Sequence, residues 1–222
     1  VDGGTRVYQA SYVSGVWTGQ LAAYPVTAQG VSSTPSWRAS ETLVNNTGRR
    51  LFTGDDAGTA AVSFPDGISD ARKALLTRTG SIDYPVTGVQ NAAYLAGDAT
   101  REERNGGNLR NRSTLLGDIV TSSPAYSAET ETVFVGSNDG MLHGFSAIDG
   151  TEKIAYVPQG VLATLKYLAS PGYDHRYFVD GSPMTGDVEL GGVVNGAGGS
   201  YYQPDWRTML VGTLGAGGRG YF

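Results

Sequence analysis

Short apolar runs bounded by turn residues recur along this chain, and long helical periodicities do not. Thr132–Ser137 (TVFVGS) is a continuous apolar run, Asn138-Asp139-Gly140 reads as a turn, and MLHGFSA from Met141 returns as a second strand. A three-residue loop ending in glycine predicts a type I turn closed by a left-handed residue, so Gly140 is expected at positive φ. The pattern recurs without a gap at Thr208–Tyr221 (TMLVGTLGAGGRGY): Thr132 aligns with Thr208, Val135 with Val211, Gly136 with Gly212, Gly144 with Gly220 and Phe145 with Tyr221. A fainter copy, SGVWTGQLAAYPV (Ser14–Val26), matches GMLHGF at Gly19, Leu21, Ala23 and Tyr24.

Flanking strands complete a unit. TPSWRAS (Thr34–Ser40) and EKIAYVP (Glu152–Pro158) follow two of the copies, and the Ser-Pro segments DIVTSSPAY (Asp118–Tyr126) and YFVDGSPMTGDVEL (Tyr177–Leu190) precede the two V-G strands. Strand, strand, hairpin, strand repeated is the signature of a β-propeller blade. TVFV and TMLV are expected to be buried on both faces, and the Gly-rich Gly191–Asp205 is expected to be a surface loop between strands.

Asp70–Arg78 and Gln90–Arg104 read as short helices, the first capped by Ser69 or Asp70, with a solvated charge run at Arg101, Glu102, Glu103 and Arg104. The fold class is therefore all-β: a partial propeller of four-stranded antiparallel blades, with a helical insertion around residues 70–105. We expect one domain with a first blade region over 1–65, a helical and loop insertion over 66–110 and further blades over 111–222, incomplete at the C-terminus.

Composition agrees. Glycine is 33 of 222 residues, about twice the usual share of roughly 7%, tyrosine is 13, and only 17% of residues are charged. A net charge of −5 and the lack of a Lys/Arg cluster exclude a nucleic-acid groove or an anionic membrane as partner. No apolar run is long enough to span a bilayer, and no signal-peptide pattern opens the chain. The absence of cysteine excludes thiol nucleophiles and Cys-ligated metals. Two sequons, at Asn45 and Asn111, are read as chance matches.

Three constellations invite chemistry. Gly215, Gly217 and Gly220 spell G-x-G-x-x-G, but a dinucleotide site needs a helix opening inside the glycines and an acidic residue about 20 positions on. The internal repeat instead predicts a hairpin turn at Gly215–Gly220. Ser137, His143 and Asp139 supply the side chains of a hydrolytic triad, yet Ser137 and His143 flank a tight turn and no G-x-S-x-G elbow is present. His143 is expected to be a packed, hydrogen-bonded imidazole, and Asp174-His175-Arg176 a loop with local salt bridges. No catalytic, cofactor-binding or metal residue is assigned.

Taken together, NRSTLLGDIVTSSPAY, VFVGSNDGMLHGFSAIDG, Tyr156–Pro158, HRYFVDGSPMTGDV, VGTLGAGGRG, WTGQLAAYPV and GRRLFT resemble the C-terminal β-propeller of the PilY/PilC-type tip-associated adhesins of type IV pili. The resemblance implies a non-enzymatic pilus assembly factor and tip adhesin that promotes extension and attachment. It implies a place at the cell surface, at the pilus tip and associated with the outer membrane. It further implies minor pilins of the pilus tip and a host or abiotic surface receptor as partners. It also implies a Ca²⁺ loop, expected beyond residue 222, because Asp2, Asp55, Asp56 and Asp139 lack the alternating oxygen ligands Ca²⁺ demands. The alternative is a quinoprotein dehydrogenase or a cofactor-free propeller of the same repeat, since SNDGMLHGFSAIDGTEKIAYV also resembles that blade.

Overall fold

A computed structural model describes residues 6–43, 48–80 and 84–222. Asp2 and the Asn45 sequon lie outside them. β1 (Arg6–Val13) and β2 (Thr18–Thr27) form a long antiparallel hairpin, from Arg6 opposite Pro25 to Val13 opposite Thr18. This is the faint first copy. Its other edge carries the two-residue strands β3 (Gly30–Val31) and β4 (Trp37–Arg38). TPSWRAS is thus a strand only at Trp37 and Arg38; from Ala39 it turns into helix α1 (Ala39–Leu43). The turn sets Ala39 and Leu43, one helical turn apart, into the core together.

β5 (Leu51–Gly54) and β6 (Ala61–Ser63) form a second hairpin. Helix α2 (Asp70–Leu75) starts at Ser69, whose Oγ accepts the Arg72 N–H, as its sequence predicts. Helix α3 (Gly88–Ala96) is fixed by a Thr87/Gln90 capping box. It begins two residues before the expected start and stops at Gly97, well short of Arg104. Nor is this region a solvated excursion. Leu76, Tyr84, Val86, Tyr94 and Leu95 join the larger core, and Glu102 is buried beneath Arg104 and Arg112. The charge run conceals an internal ion-pair cluster.

The four strands β7 (Ala125–Ser127), β8 (Thr132–Ser137), β9 (Met141–Ser146) and β10 (Glu152–Tyr156) form the antiparallel meander of one propeller blade. β5 then pairs parallel to β10, giving a six-stranded sheet in the order β6-β5-β10-β9-β8-β7. β8 and β9 are buried at every position. Val133, Val135 and Phe145 pack with Leu21, Trp37 and Leu43 in one core, where full burial of each such side chain contributes about 1.5–3 kcal/mol. A second core joins Leu51, Leu142 and Val157 to the helices and to Leu162 and Leu165 of helix α4 (Leu162–Leu165).

The next repeat is built differently. β11 (Met184–Glu189) pairs with β14 (Trp206–Val211), and the Gly-rich stretch between them is a second hairpin, β12 (Gly192–Gly196) with β13 (Gly199–Gln203). It lies on the surface as expected, but as strands, because alternating Val193 and Tyr201–Tyr202 pair across a glycine turn. The expected burial of TMLV does not occur. Among the described residues β14 pairs only with β11, and Met209 and Val211 stay exposed.

Candidate functional site

The blade hairpin places the candidate triad residues within one network. Gly140 has φ +93 and closes the turn as expected. Its Ser137 neighbour does not face the imidazole: the Ser137 hydroxyl donates to the Gly117 carbonyl at 3.0 Å. His143, fully buried, uses both ring nitrogens on carboxylates. Nδ1 lies 2.8 Å from Glu152 Oε1, and Nε2 lies 3.0 Å from Asp139 Oδ2. Arg49 closes the chain of charges with a fork onto Glu152 at 2.7 and 2.8 Å. With neither nitrogen free to take a proton from Ser137, no triad exists.

Charge pairing sets the protonation of this network. Burial alone would lower the imidazole's pKa; Asp139, then Glu152, reverse that and raise it to about 9. Burial would likewise raise Glu152, but Arg49 and His143 hold it down to about 2. Asp139, also pushed up by burial, is brought below the usual carboxylate range by His143 and by the Gly117 N–H. Near neutral pH the network is two carboxylates facing two cations, with no group poised for proton transfer. Breaking such a buried set from one side costs about 3–5 kcal/mol, so it acts as a clasp joining Arg49 to the blade.

His175 behaves differently from its sequence reading. Among the described residues its loop forms no local salt bridge. Nε2 reaches Asp118 at 2.7 Å, its ring stacks on Trp17 at 3.8 Å, and Arg176 instead lies over the Tyr167 ring at 4.3 Å. Asp118 in turn accepts from Asn138 Nδ2 at 2.8 Å, which ties this loop to the blade turn.

At the G-x-G-x-x-G stretch the chain reverses and returns. Gly212 and Phe222 exchange N–H···O bonds at 2.8 and 2.9 Å, and Leu214 N–H reaches the Gly220 carbonyl. The tip is a single 3₁₀ turn over Gly215–Gly217, not a helix with a free N-terminus. A Cβ on Gly217 would fall 1.9 Å from the Phe178 carbonyl oxygen, so glycine is required by close backbone approach.

The acidic residues weighed for Ca²⁺ are dispersed. Asp55 accepts from the Thr59 N–H and hydroxyl, Asp56 lies 3.7 Å from the Arg72 guanidinium, and Asp139 belongs to the clasp. Among the described residues no three His, Asp or Glu side chains are arranged so that they could hold a metal ion together. These residues do not fit a calcium loop.

A concave site lies elsewhere, where no sequence motif announces it. A cleft of about 280 Å³ opens between the β1–β2 hairpin tip and residues 110–117, with Trp17, Tyr94, Arg110, Leu115 and Asp139 in its walls. Trp17, at φ 53, is one of two non-glycine residues at positive φ among the described residues. Arg110 belongs to no motif; Trp17 lies inside the faint first copy but matches no position of it, and the signal that could have marked it is a bulky aromatic in a turn where glycine is favoured.

A four-stranded antiparallel meander and repeated V-G hairpins define the class: an all-β propeller. The chain belongs to the PilY1 beta-propeller domain family, whose model matches residues 82–222. It is 32% identical over 255 residues to the type IV pilus biogenesis factor PilY1 of Pseudomonas aeruginosa strain PAK, covering 97% of this chain and 21% of that protein. It is 33% identical over 276 residues to a type IV pilus biogenesis factor PilY1 homolog of Xylella fastidiosa, covering 97% of this chain and 18% of that protein. The chain thus spans about a fifth of the length of the curated relatives it matches. No solved structure matches it. No helix among the described residues is long and apolar enough to cross a membrane.

Proposed function

We infer that this propeller segment serves a type IV pilus assembly factor that also acts as a tip adhesin, working by binding rather than by catalysis. Family membership together with the curated relatives' role in pilus biogenesis carries the reading. The non-enzymatic part rests on His143, whose two nitrogens are both tied to carboxylates. On this reading the protein sits at the cell surface, at the pilus tip and associated with the outer membrane. It engages minor pilins and a host or abiotic surface, and any Ca²⁺ it needs is held by residues outside this segment. Loops carried on rigid blades suit such recognition.

The test is deletion of the gene, with surface pili counted by microscopy and attachment measured, followed by complementation with the full-length gene. Loss of pili and of attachment, both restored by the gene, is the expected result. Normal piliation in the deletion strain would overturn the assembly role; restored pili with unrestored attachment would overturn the adhesin role. A quinone absorbance band in the purified full-length protein would overturn the non-enzymatic reading.

A further inference from the structure

The cleft beside Trp17 is built around a cation without a counter-charge. Two arginines enter its wall. Arg112 is committed: Nε lies 2.8 Å from Glu102, and its other nitrogens donate to the Tyr94 and Asp98 carbonyls. Arg110 is not. Its guanidinium lies 4.2 Å over the Tyr173 ring, which fixes its plane. Its buried Nε has no acceptor, and it forms no ion pair with any described carboxylate.

The acid in the same cleft does not answer it, because Asp139 has both oxygens spent on His143, Gly117 and Met141. The remaining walls combine an apolar part, from Val16, Leu95, Leu115 and Leu168 with Trp17 beside them, and a polar part from Asn111, Ser113 and Thr114. Trp17 is held there by its N–H bond to the Val13 carbonyl and by its stack on His175, in a backbone region that costs a non-glycine residue on the order of 1 kcal/mol. The volume sits at the lower edge of the roughly 300–1,000 Å³ usual for ligand pockets. It suits one amino-acid-sized group and nothing as large as a dinucleotide.

We propose that this cleft binds a small carboxylate with an apolar or aromatic body. The carboxylate accepts from the Arg110 guanidinium, and the body lies between Trp17 and the leucines. Such a group exists either as a free organic acid or as the C-terminal residue of a polypeptide.

Saturation-transfer NMR on the full-length protein tests this with 3-phenylpropionate as the free acid, N-acetylphenylalanine as the chain end, and N-acetylphenylalaninamide as the uncharged control. Both acids give saturable signal at millimolar concentration, or one does and so names the source; the amide does not. Arg110→Gln weakens binding at least about tenfold, the scale of a lost hydrogen bond to a charged group. Trp17→Gly, which suits that backbone, removes the transfer to the aromatic ring. Arg219→Gln, outside the cleft, leaves binding unchanged. No saturable signal from either acid, or an amide that binds as well as the acid, would overturn the proposal without any variant. So would unchanged binding in a folded Arg110→Gln protein.

Discussion

Raising the pH should loosen the blade through His143. The folded protein holds the imidazole proton with a pKa of about 9, against 6.5 for the free side chain. Because the folded value is the higher one, the stabilisation is complete below pH 6.5, shrinks as pH rises, and is gone beyond about pH 9. At about 1.4 kcal/mol per pKa unit the whole effect is about 3 kcal/mol. Glu152 works in the opposite direction. Its pKa falls from 4.5 to about 2, so its contribution is complete above pH 4.5 and lost as pH drops through 2. The two values describe one shared pairing and are not added.

The assay is urea unfolding of the full-length protein at pH 6.5 and above pH 9. Each mixture receives a short hydrogen-exchange pulse at a common pH, and peptides from β8–β10 are read by mass spectrometry. The unfolding free energy of those peptides should fall by about 3 kcal/mol between the two conditions. His143→Gln should lower it already at pH 6.5, by about 3–5 kcal/mol, and abolish most of the pH dependence. Equal stability at both pH values, or the same slope in the variant, would refute a protonated imidazole between Asp139 and Glu152.

Gly140→Val should cost about 2–4 kcal/mol: φ +93 is strained for a β-branched residue, and its Cβ would fall 2.2 Å from Leu165 Cδ2 in a filled core. An unchanged urea midpoint for the β8–β10 peptides would contradict the turn. Replacing Gly192–Gln203 by a two-residue turn should change stability by no more than about 0.5 kcal/mol. Its base is closed independently, by Leu190 N–H to the Asp205 carbonyl and by Glu189 accepting from Gly191 and Asp205; a loss above about 2 kcal/mol would show that the hairpin packs on the blade.

Local patterns were legible wherever neighbours in sequence are neighbours in space. The Asn138–Gly140 turn, the β8–β9 hairpin and the Ser69 cap each depend on a few consecutive residues, and they form as read. What the sequence could not show is pairing across distance. Nothing near Glu152 announces that Arg49 will meet it 103 positions away, and nothing near Trp17 announces His175. The charge run at Arg101–Arg104 misled because charge density predicts solvent, whereas Glu102 is buried by arginines from its own run and from residue 112. Strand β14 misled for the opposite reason: an apolar run predicts cover, and cover depends on which other strands stack upon it.

The parallel pairing of β5 with β10 bears on the order in which the chain assembles. Thr53 donates its hydroxyl to the Val157 carbonyl 104 positions away, and Arg49 waits on the same distant segment. A chain emerging from its N-terminus first must keep the β5–β6 hairpin without its sheet until residue 157 has followed, leaving a strand edge open to other chains. Contacts so far apart in sequence carry a loop-closure cost before they return any stability, which slows folding. Arg49 docking onto Glu152 would mark the end of that interval.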